Sequence, residues 1–459
     1  MSAGKRGAKD GRGGKPPGAR QVSPARMTAF EILRRVEDED AYASVLLASH
    51  EAGLRADDRA LSYEIVLGVL RWRLWLDRLI EHYTGRSTGK LDAPVLITLR
   101  MALYQLRFLS RIPPSAVVNE AVNLAHMKRV RSAAPLINAA LRRAVREPGY
   151  DPSTEIPDPF ERAAVKGSHP VWLIRRWADW FGPEETEKFA SSNNLAPPVA
   201  FRISQSGEDT EAVLAELREA GAQVEASGIA PGAWRISGAS GLVRGLAQKG
   251  RIYLQDEASQ LVAHVLGAQS GERVLDACAA PGSKTTHIAE LAKDGALVVA
   301  GDFHRHRLRA LREACERRNL LSVRAIVHDA VRALPFAPET FDRALVDAPC
   351  TGTGTLRRNP EIRWRIRAED IPLLQAVQLR ILRNTARVVR LGGRLVYSTC
   401  SVEPEENEQV VAQFLEEEKC WRRLSVNVHG SLRLEDGSAR VWPHRDGADG
   451  FYIAALERV

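Results

Sequence analysis

The strongest constraint on this chain is a rhythm in its second half. From Asp256 onward, short apolar runs alternate with stretches of helical periodicity. Strands are expected at Arg273–Asp276, Ala296–Asp302, Val323–Val327, Arg343–Asp347 and Gly393–Ser398. The longest helix is expected over Ile371–Leu391, where Ile371, Leu374, Val377, Ile381, Thr385 and Val388 recur at helical spacing. Alternation of this kind predicts an α/β fold with a parallel, doubly wound sheet. Ligands of such sheets bind outside the carboxyl ends of the strands, so residues there are the functional candidates.

The rest of the chain reads differently. Residues 1–21 carry Lys5, Arg6, Lys9, Arg12, Lys15 and Arg20 against one acid, Asp10, and are expected to form a disordered basic tail. Residues 22–148 read as all helix. Leu61, Ile65, Val69, Trp72, Leu76 and Leu79 mark one helical face, with Asp57 and Asp58 as expected caps. A second apolar helix is expected over Ala93–Leu109, ended by Pro113 and Pro114, with Ser115 capping the next. The last helix ends in Arg142, Arg143 and Arg146, either a solvated face or a phosphate contact. Prolines and Gly149 mark residues 149–169 as a linker. Residues 170–255 read as a small α+β domain, with strands near Val199–Ile203, Ala233–Ile236 and Ile252–Gln255 and a helix over Asp209–Ala220. The domain over 256–459 completes the chain.

Charge narrows the partners. The 459 residues include 65 Lys+Arg and 57 Asp+Glu, a net charge of +8, which favours a polyanion without identifying one. No run of about 20 apolar residues suggests a membrane span, and residues 1–21 lack the apolar core of a secretory signal. The five cysteines, 278, 315, 350, 400 and 420, have neither disulfide-framework nor zinc spacing. A cytoplasmic, metal-free protein and a monomer are expected.

The first strand of the rhythmic half runs into Asp276-Ala277-Cys278-Ala279-Ala280-Pro281-Gly282-Ser283-Lys284 and then a helix. Small residues let backbone N–H groups approach a ligand, and a helix N-terminus favours an anion. The carboxylate of S-adenosylmethionine suits that place. The next strand ends in Asp302, where an acid can accept hydrogen bonds from ribose hydroxyls. The third ends in His328-Asp329, where a carboxylate can take an adenine amino group. The G-x-G-x-x-G and Walker patterns are absent, which disfavours dinucleotides and ATP.

Two cysteines lie at strand ends, Cys350 in Asp347-Ala348-Pro349-Cys350 and Cys400 in Ser398-Thr399-Cys400-Ser401. A lone cysteine is more often a small buried residue. Two at neighbouring strand ends suggest thiols sharing one substrate. A thiolate adding to carbon 6 of cytosine makes carbon 5 nucleophilic toward a sulfonium methyl, and a second group must then remove the carbon-5 proton. A free thiol of pKa ~8.5 is only a few per cent ionised near neutral pH, so full ionisation gains about 2 kcal/mol at most. The residues alone do not decide which cysteine attacks. Cys315 and Cys420 read as structural, and Cys278 as packing in the loop.

With these motifs the sequence resembles the Sun-type RNA cytosine-5 methyltransferases, over nearly the whole chain after the tail. Residues 22–148, with Arg111-Ile112-Pro113 and Val118-Asn119-Glu120, resemble the family's NusB-like helical RNA-binding domain. Gln255-Asp256-Glu257-Ala258-Ser259 resembles the start of its catalytic domain. The resemblance implies a Rossmann-like S-adenosylmethionine-dependent methyltransferase domain preceded by an all-α NusB-like domain and a small α+β domain. It implies that Cys278, Ala279, Ala280, Pro281, Gly282, Ser283, Lys284, Asp302, Asp329 and Asp347 surround the cofactor. It implies that Cys400 is the nucleophile and that Cys350 assists product release. It sets Arg357-Arg358-Asn359-Pro360 and Trp364 near the RNA, with small-subunit ribosomal RNA as the substrate. Two positions depart from the family pattern. Ser283 replaces a glycine, which costs about 1–2 kcal/mol if that position needs positive φ. His304 stands where a second acid is usual. The competing readings are the same chemistry on transfer RNA or DNA, and a non-catalytic RNA-binding assembly factor.

Overall fold

The computed structural model describes residues 22–50, 53–204 and 209–459. The basic tail of residues 1–21 lies outside them. The chain divides into two compact units, one ending at Glu155 and the other spanning Ile156–Val459.

The first unit is helical, as expected. Its helices span Pro24–Asp38, Ala43–His50, Ala56–Arg71, Arg73–Thr84, Ala93–Phe108, Pro114–Met127 and Ala134–Arg146. Phe30, Ile65, Leu76, Leu99, Ile137 and Leu141 are among the residues that meet in its core. Some local expectations fail. The stripe from Leu61 to Leu79 belongs to two helices, because the chain breaks at Trp72 (φ −100°, ψ 17°). Arg55 holds the cap position, and Asp57 and Asp58 lie in the first turn, where they oppose the helix dipole. Ser115 also lies inside its helix, because Pro114 opens it and Pro113 precedes it. Arg143 is engaged within the unit, donating to the His82 carbonyl (2.9 Å) and to Glu147 (3.0 Å).

In the second unit the proline-rich stretch is not all connector. Pro159–Gly167 is a helix, opened by Pro159 and capped by Asp158, whose carboxylate accepts from Glu161 N (2.7 Å). Helices Val171–Phe181 and Pro183–Ser192 follow. A four-stranded antiparallel sheet comes next, built from β1 (Val199–Ile203), β2 (Gln223–Ala226), β3 (Ala233–Ser237) and β4 (Ile252–Leu254) in the order β2-β3-β1-β4.

The larger sheet contains β5 (Arg273–Asp276), β6 (Leu297–Asp302), β7 (Val323–Val327), β8 (Phe341–Asp347), β9 (Val389–Thr399), β10 (Trp421–Leu424), β11 (Ala439–Val441) and β12 (Phe451–Arg458). Its order is β10-β12-β9-β8-β5-β6-β7, with β11 also on β12. The five strands foreseen from the alternation are parallel neighbours. The sheet is nevertheless mixed, because β12 runs antiparallel to β9 and carries β10 and β11. Two buried clusters cover its faces. Helices Glu257–Leu266, Ser283–Leu291 and Arg305–Glu316 contribute to one, and Asp370–Ala386 and Glu408–Glu417 to the other. The helix expected to reach Leu391 stops at Ala386, and Val389 already pairs with Phe341 in the sheet. The strand order reverses between β5 and β8, so the switch point lies where the loop after β5 and the Pro-Cys motif emerge. Among the described residues no helix is long and apolar enough to cross a membrane.

A test of the helical packing is Gly68→Ala. Helix propensity alone favours Ala by about 1 kcal/mol. A Cβ at Gly68 would stand 1.9 Å from the buried Tyr104 ring, however. The variant is expected to lose about 1–3 kcal/mol in urea unfolding through overpacking. A gain in stability would contradict that contact.

Candidate active site

The loop after β5 is held by backbone hydrogen bonds on both sides. Ala277 N donates to the Leu345 carbonyl (2.9 Å) and Ala279 N to the Gly301 carbonyl (2.8 Å), which ties the loop to both neighbouring strands. Gly282 takes φ +108°, and a Cβ there would meet Leu311 at 2.9 Å, so two constraints require glycine. Ser283 is the first residue of the following helix and is not in the positive-φ region. The strain considered for a serine there does not arise.

Asp302 ends β6 and is buried. Its carboxylate accepts from Ala280 N (3.2 Å) and His304 N (2.8 Å), binding the loop to its own strand end. Asp347 ends β8 and accepts from Lys284 Nζ (2.8 Å) and Ser398 Oγ (2.8 Å). Burial pulls the Lys284 ammonium down, but Asp347 outweighs it and holds the pKa above the ordinary lysine value. Asp329 lies just beyond β7, where it accepts from Val331 N (3.0 Å) and pairs with Arg332 (3.4 Å). Those contacts are local and do not tie it to the loop.

The two strand-end cysteines come together, with the Cys350 and Cys400 sulfurs 3.4 Å apart. The Cys350 thiol is pushed well up by its hydrogen bond with Cys400 and by burial. Lys284 supplies positive charge within electrostatic range of Cys400. Cys278 is driven up by burial and by the carboxylates of Asp276, Asp347 and Asp302, which suits an inert packing thiol. Cys315 is buried in a helix and Cys420 is exposed, both apart from this pair.

Three further side chains shape the site. Glu406, fully buried, accepts from Thr351 N (2.9 Å) after Cys350 and from the Ser401 hydroxyl after Cys400. Gln378 donates to the same carboxylate (2.9 Å) and to the Pro349 carbonyl (2.9 Å). Asp276, at the end of β5, accepts from Thr285 Oγ1 (2.7 Å), while its Oδ1 is buried with no partner. Burial, with the nearby Asp347 charge adding to it, pushes this carboxyl up to about 7. Asp276 was legible as a strand-end acid, and Glu406 stands in the acidic turn Glu403-Pro404-Glu405-Glu406. Neither stood out from its sequence neighbours.

Arg357 and Arg358, placed near RNA by the resemblance, are engaged inside the protein. Arg357 donates to Asp449 (2.9 Å), and Arg358 to Asp449 (2.6 Å) and Asp256 (2.8 Å). They pin the loop after Cys350 to the C-terminal region. Among the described residues no group of three or more His, Cys, Asp or Glu side chains is arranged to hold a metal.

The comparisons decide the family. Residues 263–457 match the model for the 16S rRNA methyltransferase RsmB/F, residues 23–146 the NusB family, and residues 169–242 the ferredoxin-like domain of RsmF/B-like methyltransferases. Ribosomal RNA small subunit methyltransferase B of Pseudomonas putida is 36% identical over 95% of this chain and 98% of its own. The chain belongs to the RsmB/F family. The Escherichia coli K12 member is 33% identical over 94% of this chain and 98% of its own. The crystal structure of PH0851 superposes with a TM-score of 0.80 at 30% identity, covering 95% of this chain and 99% of that one. A methyltransferase homolog from Pyrococcus horikoshii gives a TM-score of 0.58 at 26% identity over 66% of this chain and 100% of its own.

Asp276 makes a pH prediction. Its folded pKa is raised, so the native state holds a proton that the unfolded chain releases at lower pH. Stability from this group is present below about pH 4 and is lost as pH rises toward about 7. Asp276→Asn cannot titrate. Its melting temperature relative to wild type should rise between about pH 5 and about pH 8. A constant difference would contradict the assignment.

Proposed function

We propose that this RsmB/F-family chain transfers a methyl group from S-adenosylmethionine to carbon 5 of a cytosine in 16S ribosomal RNA. The observation that carries the proposal is the pair of thiols 3.4 Å apart beside the cofactor loop. The relatives' names supply the RNA, and the chemistry of the pair supplies the position on the base.

The loop suits the cofactor. Gly282 leaves room for close approach, the helix from Ser283 offers its N-terminus to a carboxylate, and the unpartnered Oδ1 of Asp276 is an acceptor for an ammonium. Ala279, Ala280, Pro281 and Lys284 line the same turn, with Cys278 packed behind it. Asp302 is assigned to the ribose and Asp329 to the adenine. When bound, S-adenosylmethionine supplies an electrophilic methyl on a sulfonium.

Cys400 is the nucleophile in this reading. Its thiolate forms a bond to carbon 6 of the cytosine, and the electron pair released reaches carbon 5. Lys284 lies within electrostatic range of that sulfur and is held by Asp347, which accepts in turn from Ser398. Cys350 is assigned to release: as a thiolate, made more basic by its raised pKa, it takes the proton from carbon 5, and the electron pair left behind re-forms the carbon 5–carbon 6 double bond as Cys400 departs as its thiolate. Glu406 positions both cysteine loops. The target base must leave its stack to reach the thiols.

The test is methyl transfer from labelled cofactor to unmodified 16S RNA, followed by nucleoside analysis. Wild type should yield 5-methylcytidine. Cys400→Ala should fall below about one thousandth of wild-type turnover while still binding the cofactor in calorimetry. Label on transfer RNA but not on 16S RNA would reassign the substrate. RNA binding with no cofactor binding would favour the non-catalytic reading.

A further inference from the structure

The helix Arg305–Glu316 packs inward through Leu308, Leu311 and Cys315. Its other side carries Arg305, Arg309 and Arg312, all exposed. These positions lie at i, i+4 and i+7, so they form one stripe about 10 Å long. No acid occurs between Phe303 and Arg312. The ion pairs near this helix use other arginines, Arg307 with Asp302 (3.9 Å) and Arg317 with Glu313 (3.8 Å). Glu313 and Glu316 end the stripe on its C-terminal side.

Two more features extend it. Arg324 stands exposed on β7, the outermost strand, donates to the carbonyls of Leu321 (2.6 Å) and Val323 (3.1 Å), and lies within electrostatic range of Asp294. Arg312 and Arg324 line one cleft of about 430 Å³ together with Glu316, floored by Leu311, Leu320 and Val323. At the other end Phe303 is 64% exposed directly after Asp302, with the His304 ring 5.1 Å away. Exposed guanidinium groups in a row beside an exposed aromatic ring form a surface for a phosphodiester strand with an unstacked base.

We propose that a single strand of the RNA substrate lies along this stripe, with phosphates on Arg305, Arg309, Arg312 and Arg324 and a base against Phe303. The proposal rests on the RNA reading above and adds a second contact surface, away from the thiol pair. The occupant is RNA because the helix stripe is cationic, planar in its donors and free of acids from Phe303 to Arg312.

The test uses the full chain and a labelled 16S RNA fragment, with binding measured across salt concentrations. The variant is Arg305→Gln/Arg309→Gln/Arg312→Gln. The control is Arg383→Gln/Arg390→Gln/Arg422→Gln, three arginines of the same unit that are each paired to an acid. Both lose the same charge. The stripe variant should bind about tenfold to a hundredfold more weakly near 0.1 M salt, and its slope of log K against log salt should be shallower by about two. Its cofactor affinity should match wild type, and the control should keep the wild-type slope. Equal slopes for variant and control would overturn the stripe and leave the methyltransferase reading intact. An unchanged RNA slope with activity lost only on assembled particles would assign the stripe to an acidic protein instead, which also overturns the proposal. Wild-type protein that bound no RNA would overturn both readings.

Discussion

The pairing of β8 with β9 is the constraint on which the site depends. Their parallel register sets Asp347 beside Ser398. Cys350 and Cys400 follow a few residues later, so the two loops leave the sheet side by side. Backbone pairing alone would let those loops splay. Glu406 prevents this by accepting from Thr351 on one side and Ser401 on the other. Close backbone contact completes the clamp. Gly354 N donates to the Cys400 carbonyl (2.9 Å), and a Cβ at Gly354 would stand 2.1 Å from the Gly450 carbonyl oxygen. The sulfur separation is therefore set by a carboxylate, a glycine and a strand register.

The electrostatics follow from that arrangement. Lys284 and Asp347 meet across the switch point, so the loop after β5 and the cysteine loops share one charge network. The Lys284 ammonium also lies 5.0 Å from the Phe451 ring on β12, which fixes it further. The four-stranded sheet braces the same network from behind. Arg202 on β1 donates to Thr286 Oγ1 (2.9 Å) in the helix that follows the cofactor loop and pairs with Glu290 in that helix. A buried charge of this kind adds little net stability, but removing one partner leaves the other unpaired.

Much of this was legible in the sequence because the sheet's period is strong. The five parallel strands, the loop after β5 and the two cysteine motifs all sit where apolar runs end. The antiparallel strands β10 to β12 were not legible. Phe451–Ala455 is a continuous buried run, which does not distinguish a strand from a buried helix. The break at Trp72 was hidden because the apolar stripe continues across it. The resemblance set Arg357 and Arg358 near the RNA, and their pairing inside the protein was not visible because their acids, Asp449 and Asp256, lie about a hundred residues away in either direction. Long-range pairing of that kind leaves no local pattern. Glu406 was missed for the same reason, since its partners come from three separated segments.

The central claim is the division of labour between two adjacent thiols, and trapping the enzyme on RNA tests it most directly. Wild type, Cys350→Ala and Cys400→Ala would each be incubated with unmodified 16S RNA and methyl-labelled cofactor, then run on a denaturing gel. The account predicts a labelled protein–RNA adduct with Cys350→Ala, because methyl transfer proceeds and release stalls, and none with Cys400→Ala. An adduct that persists in Cys400→Ala and vanishes in Cys350→Ala would contradict it and reverse the two roles.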